Sequence, residues 1–378
     1  MSLVVDEHRQ YLDDTARLDA YANALRALVR PGDVVLDLAS GTGILGMLAC
    51  QAGASRVYAI EVDSIVELAR QIARDNGLSD RIVCIHELAA RATLPEPVDL
   101  IVTDGAGRFG FEAGLIETLS DARRRFLKPG GRVIPSSLTL TITPVETLEL
   151  RERIHSWERP IRGLTFGPAY DIARSTGYPH HFSTDALLAE PADLITVDPS
   201  VDHASMAGQS AFAIRRAATL DGVGGWFSTV LAPSVVLTNA PGAPGRINRR
   251  NVFFPIREPI AVAPGDTVEV SMHIRPASLV VRWQVEVRGA DGQLRHSTIA
   301  STFEGMLIAR EDMARTRPAF QPALTPAGLA RRTVLELCDG VRALTHIEDE
   351  VWRRHPALFG SRDDAATFVA EVVTRYST

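Results

Sequence analysis

Cysteine is scarce: Cys50, Cys84 and Cys338 are the three in 378 residues. No two of them share a metal-ligand spacing, and an odd, scattered set cannot frame a disulfide scaffold. The expectation is a reduced compartment and no metal site. Cys50 and Cys84 have apolar neighbours and read as core residues. Long apolar runs are missing too. None approaches a membrane span, and the opening stretch, with Asp6, Glu7 and Asp13, has no apolar signal core. A cytoplasmic protein with no membrane partner is therefore expected. A strong charge of either sign is absent as well. The formal net charge of −6 speaks against a nucleic-acid partner, and the cluster Arg123-Arg124-Arg125 reads as a solvated helix face. Internal repeats and low-complexity tracts are also absent.

What is present is an ordinary globular composition, 46% hydrophobic and 23% charged, in a chain long enough for two or three domains. Its organising stretch is Val34-Val35-Leu36-Asp37-Leu38-Ala39-Ser40-Gly41-Thr42-Gly43-Ile44-Leu45-Gly46. The apolar run fits a strand buried on both faces. Gly41 and Gly43 let the backbone approach a ligand, and the helix behind them offers free N–H groups. The next strand, Val57-Tyr58-Ala59-Ile60, ends in Glu61, where a βαβ unit presents a carboxylate to ribose hydroxyls. The Gly-x-Gly-x-x-Gly pattern suits either a dinucleotide or S-adenosylmethionine (SAM). Asp37 decides between them, because a carboxylate there repels pyrophosphate and welcomes the ammonium of SAM. The expected cofactor is SAM, held by Asp37, Ser40, Gly41, Thr42, Gly43, Ile44, Leu45, Glu61, Val62 and Asp104.

Residues 1–30 read as polar helices, with Leu18, Tyr21, Leu25 and Leu28 at helical spacing. Pro31-Gly32-Asp33 then turns the chain into a SAM-binding Rossmann-like domain over 31–139. Its further strands are expected at 82–85, 98–102 and 132–135. A helix at 112–126 is stopped by Lys128-Pro129-Gly130-Gly131. From 140 to 310 the period becomes two, with runs at 138–143, 211–216, 224–237, 251–254, 267–274, 279–288 and 298–309. These predict an antiparallel β-barrel or sandwich, interrupted at 163–190 by an irregular arm. A linker at 311–326 leads to a helical or winged module at 327–378. In that module Thr345 with Glu348, and Ser361 with Asp364, are candidate helix caps. The fold class is an α/β Rossmann-like SAM-binding domain followed by an antiparallel β-barrel and a small helical C-terminal domain.

Over roughly residues 10–310 the chain resembles the protein arginine methyltransferase family. The carriers are Val35-Leu36-Asp37 with Ser40-Gly41-Thr42-Gly43-Ile44-Leu45, then Ala52-Gly53-Ala54, Ile60-Glu61, Leu127-Lys128-Pro129-Gly130-Gly131, Ile134-Pro135 and Asn251-Val252-Phe253-Phe254. The resemblance implies a SAM domain, a β-barrel with an inserted dimerisation arm, and a homodimer. It also implies that Arg17 holds the SAM carboxylate, a task suited to a guanidinium fork. Residues 327–378 resemble a PqqD-like module through Leu337-Cys338-Asp339-Gly340-Val341-Arg342 and Thr345-His346-Ile347-Glu348. That resemblance implies a peptide-recognition role; the alternative is a helical cap over a barrel edge.

The departures bear on the acceptor. The family clamps a guanidinium between two glutamates. Here Asp104 stands at the first position and Ala113 at the second, with Glu112 one residue short of it. Arg108 adds a repelling charge, Arg246-Ile247-Asn248 replaces the family's Thr-His-Trp signature, and Ala89-Ala90 replaces the polar pair that meets adenine. Asp104 and Glu112 remain the candidate catalytic residues, to hold or deprotonate an acceptor; His155, His180 and His181 read as structural. The leading reading is a SAM-dependent methyltransferase acting on a peptide or small molecule. Its alternatives are a divergent protein arginine N-methyltransferase and a non-catalytic SAM-binding regulatory protein.

Overall fold

Strand β1 (Val34–Leu38) is buried along its whole length, as its unbroken apolar run predicts. It is the middle of a five-stranded parallel sheet in the order β3-β2-β1-β4-β5, built with β2 (Arg56–Glu61), β3 (Ile82–His86), β4 (Val98–Thr103) and β5 (Leu127–Ile134). Strand order reverses beside β1, so the crevice at the carboxyl ends of β1 and β4 is where such a sheet binds ligands. Asp37, Glu61 and Asp104 all lie at that edge. Strand β5 follows its helix directly at Leu127, earlier than the glycine pair suggested.

Helices α1 (Val4–Asp13) and α2 (Thr15–Leu28) precede this sheet; α3 (Ile44–Gln51), α4 (Ile65–Asp75) and α5 (Leu115–Phe126) connect its strands. Asp14 caps α2 by accepting from the Arg17 N–H. One face of α2 buries Arg17, Tyr21, Ala24 and Leu25, which places a cation and a phenol at the crevice. Cys50 is buried as expected, whereas Cys84 is only partly so.

The computed structural model describes residues 4–377; the first three residues of the expected helical segment 1–30 lie outside it. It divides into two compact units, Met1–Met306 and Leu307–Thr378. In the first unit β6 (Ser137–Val145), β7 (Tyr178–His180), β8 (Ala192–Val197), β10 (Ala218–Ala232), β11 (Val235–Thr238) and β12 (Asn251–Val262) form one antiparallel sheet. The other antiparallel sheet joins β9 (Met206–Ala213), β13 (Thr267–Arg275), β14 (Val280–Arg288) and β15 (Leu294–Ser301). Alternating burial along β13 and β14 shows one face packed inward.

The ladders of these two sheets do not join into a closed barrel among the described residues. The body is barrel-like, made of two sheets, because β9 approaches β8 without continuing its ladder; only a glycine at 208 fits against the Leu194 carbonyl there. The run expected at 224–237 is a hairpin, turning at Ser234 between β10 and β11. The last strand ends at Ser301, short of the expected 309.

The segment 163–190 contains α7 (Gly167–Ala173) and β7, and it follows α6 (Leu148–His155). β7 pairs with β12, placing His180 opposite Asn251. A small core of its own, including Leu150, Ile154, Ala173 and Phe182, anchors this segment to Phe253.

The second unit holds α8 (Arg310–Arg315), inside the expected linker, then α9 (Pro326–Leu337), α10 (Leu344–Arg354) and α11 (Arg362–Tyr376). Val334, Leu337, Ile347, Val351, Val369 and Val372 form the core of the last three helices. No strand occurs among its described residues, so the module takes the helical form of the two expected. Ser361 caps α11 through the Asp364 N–H at 3.1 Å as predicted. Thr345 does not cap α10: the chain enters that helix at Leu344, after Ala343, which leaves Thr345 inside the first turn.

Candidate active site

The turn after β1 is tight because Gly41 and Gly43 adopt positive φ, and Gly43 opens α3. Behind it, Asp37 is fully buried. Its Oδ2 accepts from the Gly46 N–H at 2.8 Å, while among the described residues Oδ1 has no partner; nor has the buried Ser40 hydroxyl. Burial pushes the Asp37 carboxyl up to about 7, against the pull of the Gly46 N–H and the Arg17 cation. Glu61 accepts from Gly41 N–H at 2.8 Å with one oxygen. Its other oxygen accepts from Val62 and Asp63 N–H at 2.8 and 2.9 Å. Two carboxylates and bare backbone thus converge on the crevice, with polar atoms left for a cationic, hydroxyl-bearing ligand. SAM fits these residues.

A cavity of about 770 Å³ opens here. Of the residues expected to bind the cofactor, Arg17, Ser40, Gly41, Thr42, Ile44 and Asp104 line it. Asp37, Gly43, Leu45, Glu61 and Val62 lie outside that lining. Leu45 is a core residue and Val62 is half-exposed. Helix α1 covers the turn, with His8 so close that a Cβ on Gly41 would meet its ring at 2.8 Å.

The acceptor side departs from a guanidinium clamp. Asp104 is paired with the Arg17 Nε, and Arg249 donates to the same Oδ2 at 3.0 Å. The Tyr21 hydroxyl donates to the Thr103 carbonyl at 2.9 Å and reaches Asp104 Oδ1 at 3.2 Å. Burial alone would raise the Asp104 carboxyl, yet Arg249 and Arg17 together hold it below its ordinary value. Arg249 is placed by the loop before β12, where Asn248 N–H donates to Asp14 Oδ2 at 2.8 Å. Asn239, fully buried, pins the facing loop by donating to the Arg108 carbonyl at 2.8 Å.

Glu112 also lines the cavity, but its carboxylate folds back on its own loop. It accepts from the Phe109 N–H at 2.8 and 2.9 Å and from Arg108 and Phe111 N–H at longer range. Burial still raises its carboxyl above the ordinary value. Of the site residues named from the sequence, Asp104, Glu112 and Arg17 line this cavity; Arg249, Tyr21, Asn239 and His8, which lie in or beside it, were not among them. The signal for Arg249 was the Arg249-Arg250 doublet just where the family signature is lost. His155, His180 and His181 do not line this cavity: His155 meets Glu158 and Tyr170, and His181 meets Arg246.

A doubly wound sheet with this acidic, glycine-turned crevice is the arrangement of a SAM-dependent methyltransferase, and comparison with known proteins agrees. The family model for ribosomal protein L11 methyltransferase (PrmA) matches residues 19–141. Protein arginine N-methyltransferase 6 of Xenopus tropicalis is 30% identical over 252 residues, 63% of this chain and 74% of that protein. Protein arginine N-methyltransferase 1 of Saccharomyces cerevisiae is 26% identical, over 76% of this chain and 88% of its own. Other arginine methyltransferases align over less than half of their own length. Among solved structures, the Trypanosoma brucei PRMT1 enzyme-prozyme heterotetrameric complex with AdoHcy shares the fold. Its TM-score is 0.70 at 22% identity, covering 78% of this chain and 97% of that one.

The chain is a SAM-dependent methyltransferase. It belongs to the protein arginine N-methyltransferase family.

Proposed function

We propose that this methyltransferase acts on a peptide or small molecule whose acceptor group is not a guanidinium. One observation carries the reading: the carboxylate at the clamp position, Asp104, is already shared by two mostly buried arginines. A third cation entering there would meet net positive charge at short range. The second clamp position is Ala113, and Glu112 has its oxygens committed to backbone N–H groups.

Arg17, Asp37, Ser40 and Glu61 would hold SAM, which supplies an electrophilic methyl group. The remaining work falls to the chain. Loop 104–114 and the loop before β12 position the nucleophile and exclude water. Glu112, with its raised carboxyl, takes the proton once the acceptor displaces one of the Phe109 or Arg108 N–H donors from its oxygens; Asp104, held low by its arginines, orients the neighbouring groups.

Incubating the protein and deuterated-methyl SAM with cell extract, then mapping the label by mass spectrometry, tests this. The expected label sits on a non-guanidinium atom. Efficient labelling of arginine in an arginine-rich protein would overturn the acceptor reading and restore a divergent arginine methyltransferase, the alternative that family membership favours. SAM binding with no product from any extract would leave only a regulatory role.

The same reading includes a cytoplasmic homodimer built on the arm at 163–190. It treats the two antiparallel sheets as the acceptor-side barrel, and the tail as a peptide-docking module of PqqD type.

A further inference from the structure

A second, smaller cavity of about 180 Å³ lies beside the methyl-transfer cavity, and the two share Arg108 and Glu112 as their common wall. Its other walls are apolar save for Thr302: Phe109, Phe111, Val252, Phe254 and Val281, with half-exposed Leu279 at its edge. The aromatic walls are packed, not loose. Phe109 stands edge-on to Phe111 at 6.0 Å and to Phe254 at 5.5 Å. One side is bare because residue 177 is glycine; a Cβ there would come within 3.3 Å of Val252 Cγ2. An apolar cavity of about 150 Å³ is enough to bind benzene, so this one matches a single ring or a leucine-sized group.

We infer that this pocket receives an apolar, phenyl- or leucine-sized group of the acceptor, adjacent to the atom that is methylated. The inference rests on the acceptor reading above and deepens it. The loop 107–113 that walls the methyl-transfer cavity is the loop whose Phe109 and Phe111 wall this pocket, so an acceptor reaching Glu112 has the pocket beside it. Among the described residues no carboxylate lies within salt-bridge distance of Arg108, and the Glu112 oxygens on the same wall are turned to the Phe109 N–H, so the rim favours a neutral or acidic acceptor over a basic one. Burying such a group contributes about tenfold to a hundredfold in affinity.

The test uses the full chain saturated with S-adenosylhomocysteine and titrated by ligand-observed NMR. The probes are toluene, N-acetyl-phenylalanine amide, N-acetyl-alanine amide and a blocked Gly-Phe-Gly peptide. The phenyl amide is expected to bind at least tenfold tighter than the alanine amide, and Val281→Trp, which fills the pocket, to abolish that preference. If Val281→Trp does not fold, Leu279→Asp carries the test. It puts a charge at the pocket edge from a half-exposed position whose positive φ of 54° aspartate tolerates. A further gain with the peptide assigns a peptide source; equal binding of toluene assigns a free small molecule. Equal affinity for the phenyl and alanine amides, or a preference that survives the variant, overturns the inference. Arginine labelling with the phenyl preference intact would remove the acceptor reading and leave the pocket. Non-arginine labelling without the preference would do the reverse.

Discussion

Arg249 donates to Asp104 Oδ2 at 3.0 Å, and this one pair ties the loop before β12 to the end of β4. Arg17 holds the same carboxylate from the other side. Three mostly buried charges therefore sum to one net positive where a guanidinium clamp needs a negative site. Arg249→Ala should shift that balance. With Arg17 drawn to a cofactor carboxylate, Asp104 would be left uncompensated, and weak labelling of an arginine peptide should emerge where none is expected of the wild type. Filter-binding counts with labelled-methyl SAM measure it. A variant as inert to arginine as wild type would show that Arg249 is not the gate.

Asp104→Ala removes the carboxylate shared by two mostly buried guanidiniums, leaving each only a carbonyl, Tyr11 for Arg17 and Gly107 for Arg249. Stranding a buried charge costs about 3–5 kcal/mol, so a clear drop in the urea midpoint is expected alongside lost turnover. Asp104→Asn keeps the shape and tests charge alone. A stable Asp104→Ala protein would mean that both arginines find water instead.

The Asp37 carboxyl, raised by burial to about 7, makes cofactor binding pH-dependent. A cationic ligand prefers the ionised form, so SAM affinity should strengthen as pH rises from 6 to 8 and then level. Without ligand the sign is opposite. A carboxyl whose folded value is raised contributes stability below its ordinary value of 3.8 and loses that contribution as pH rises through 7. Calorimetry across this range checks the first point and thermal melts the second. Asp37→Asn should flatten both curves.

Much of the cofactor half is legible in the amino-acid sequence. A buried apolar run, a glycine turn and an acid at the next strand end each have one backbone solution, and β1, Gly43 and Glu61 fall where the pattern puts them. Period-two alternation locates the antiparallel strands, yet it does not say whether their ladders close, because that depends on how β8 meets β9 at Gly208. Nor does it reveal the Ser234 turn, since Val235-Val236-Leu237 continues the apolar run across it. The Arg249-Arg250 doublet marks a cationic loop, but the pairing of Arg249 is hidden for another reason. An arginine reads as solvated until tertiary packing brings Asp104, from the far end of another strand, within reach. Thr345 shows the local limit: a capping box needs the chain to enter at the threonine, and here it enters earlier.

Asp221 is a hinge pin for the inserted segment. Its Oδ2 accepts from the Thr147 N–H at 2.7 Å and its Oδ1 faces Arg151 at 3.2 Å, holding the start of α6 against β10. Asp221→Ala leaves a buried N–H and a guanidinium unmatched, at a cost of about 1–3 kcal/mol. Amide exchange over 148–158 should speed up more than elsewhere. Burial raises the Asp221 carboxyl to about 6, so the wild type gives up part of its stability between pH 4 and 6. Asp221→Asn should remove that slope while keeping the Thr147 hydrogen bond.

The region beyond α6 ends in an exposed apolar tip. Trp157, Ile161 and Leu164 are 39%, 49% and 65% exposed on one short stretch, with Phe166 beside Trp157 at 6.2 Å between ring centroids. Clustered apolar exposure of this kind marks a protein contact, and the proposed occupant is a second copy of this chain. The variant that tests it must spare β7, because that strand is bonded to β12 and its loss would disturb the acceptor sheet. Ile161→Lys with Leu164→Lys changes only the exposed tip. Light scattering should report a dimer for the wild type and a monomer for the double variant, with unaltered circular dichroism. A dimer that survives both substitutions would place the interface elsewhere; a monomeric wild type would remove the homodimer itself.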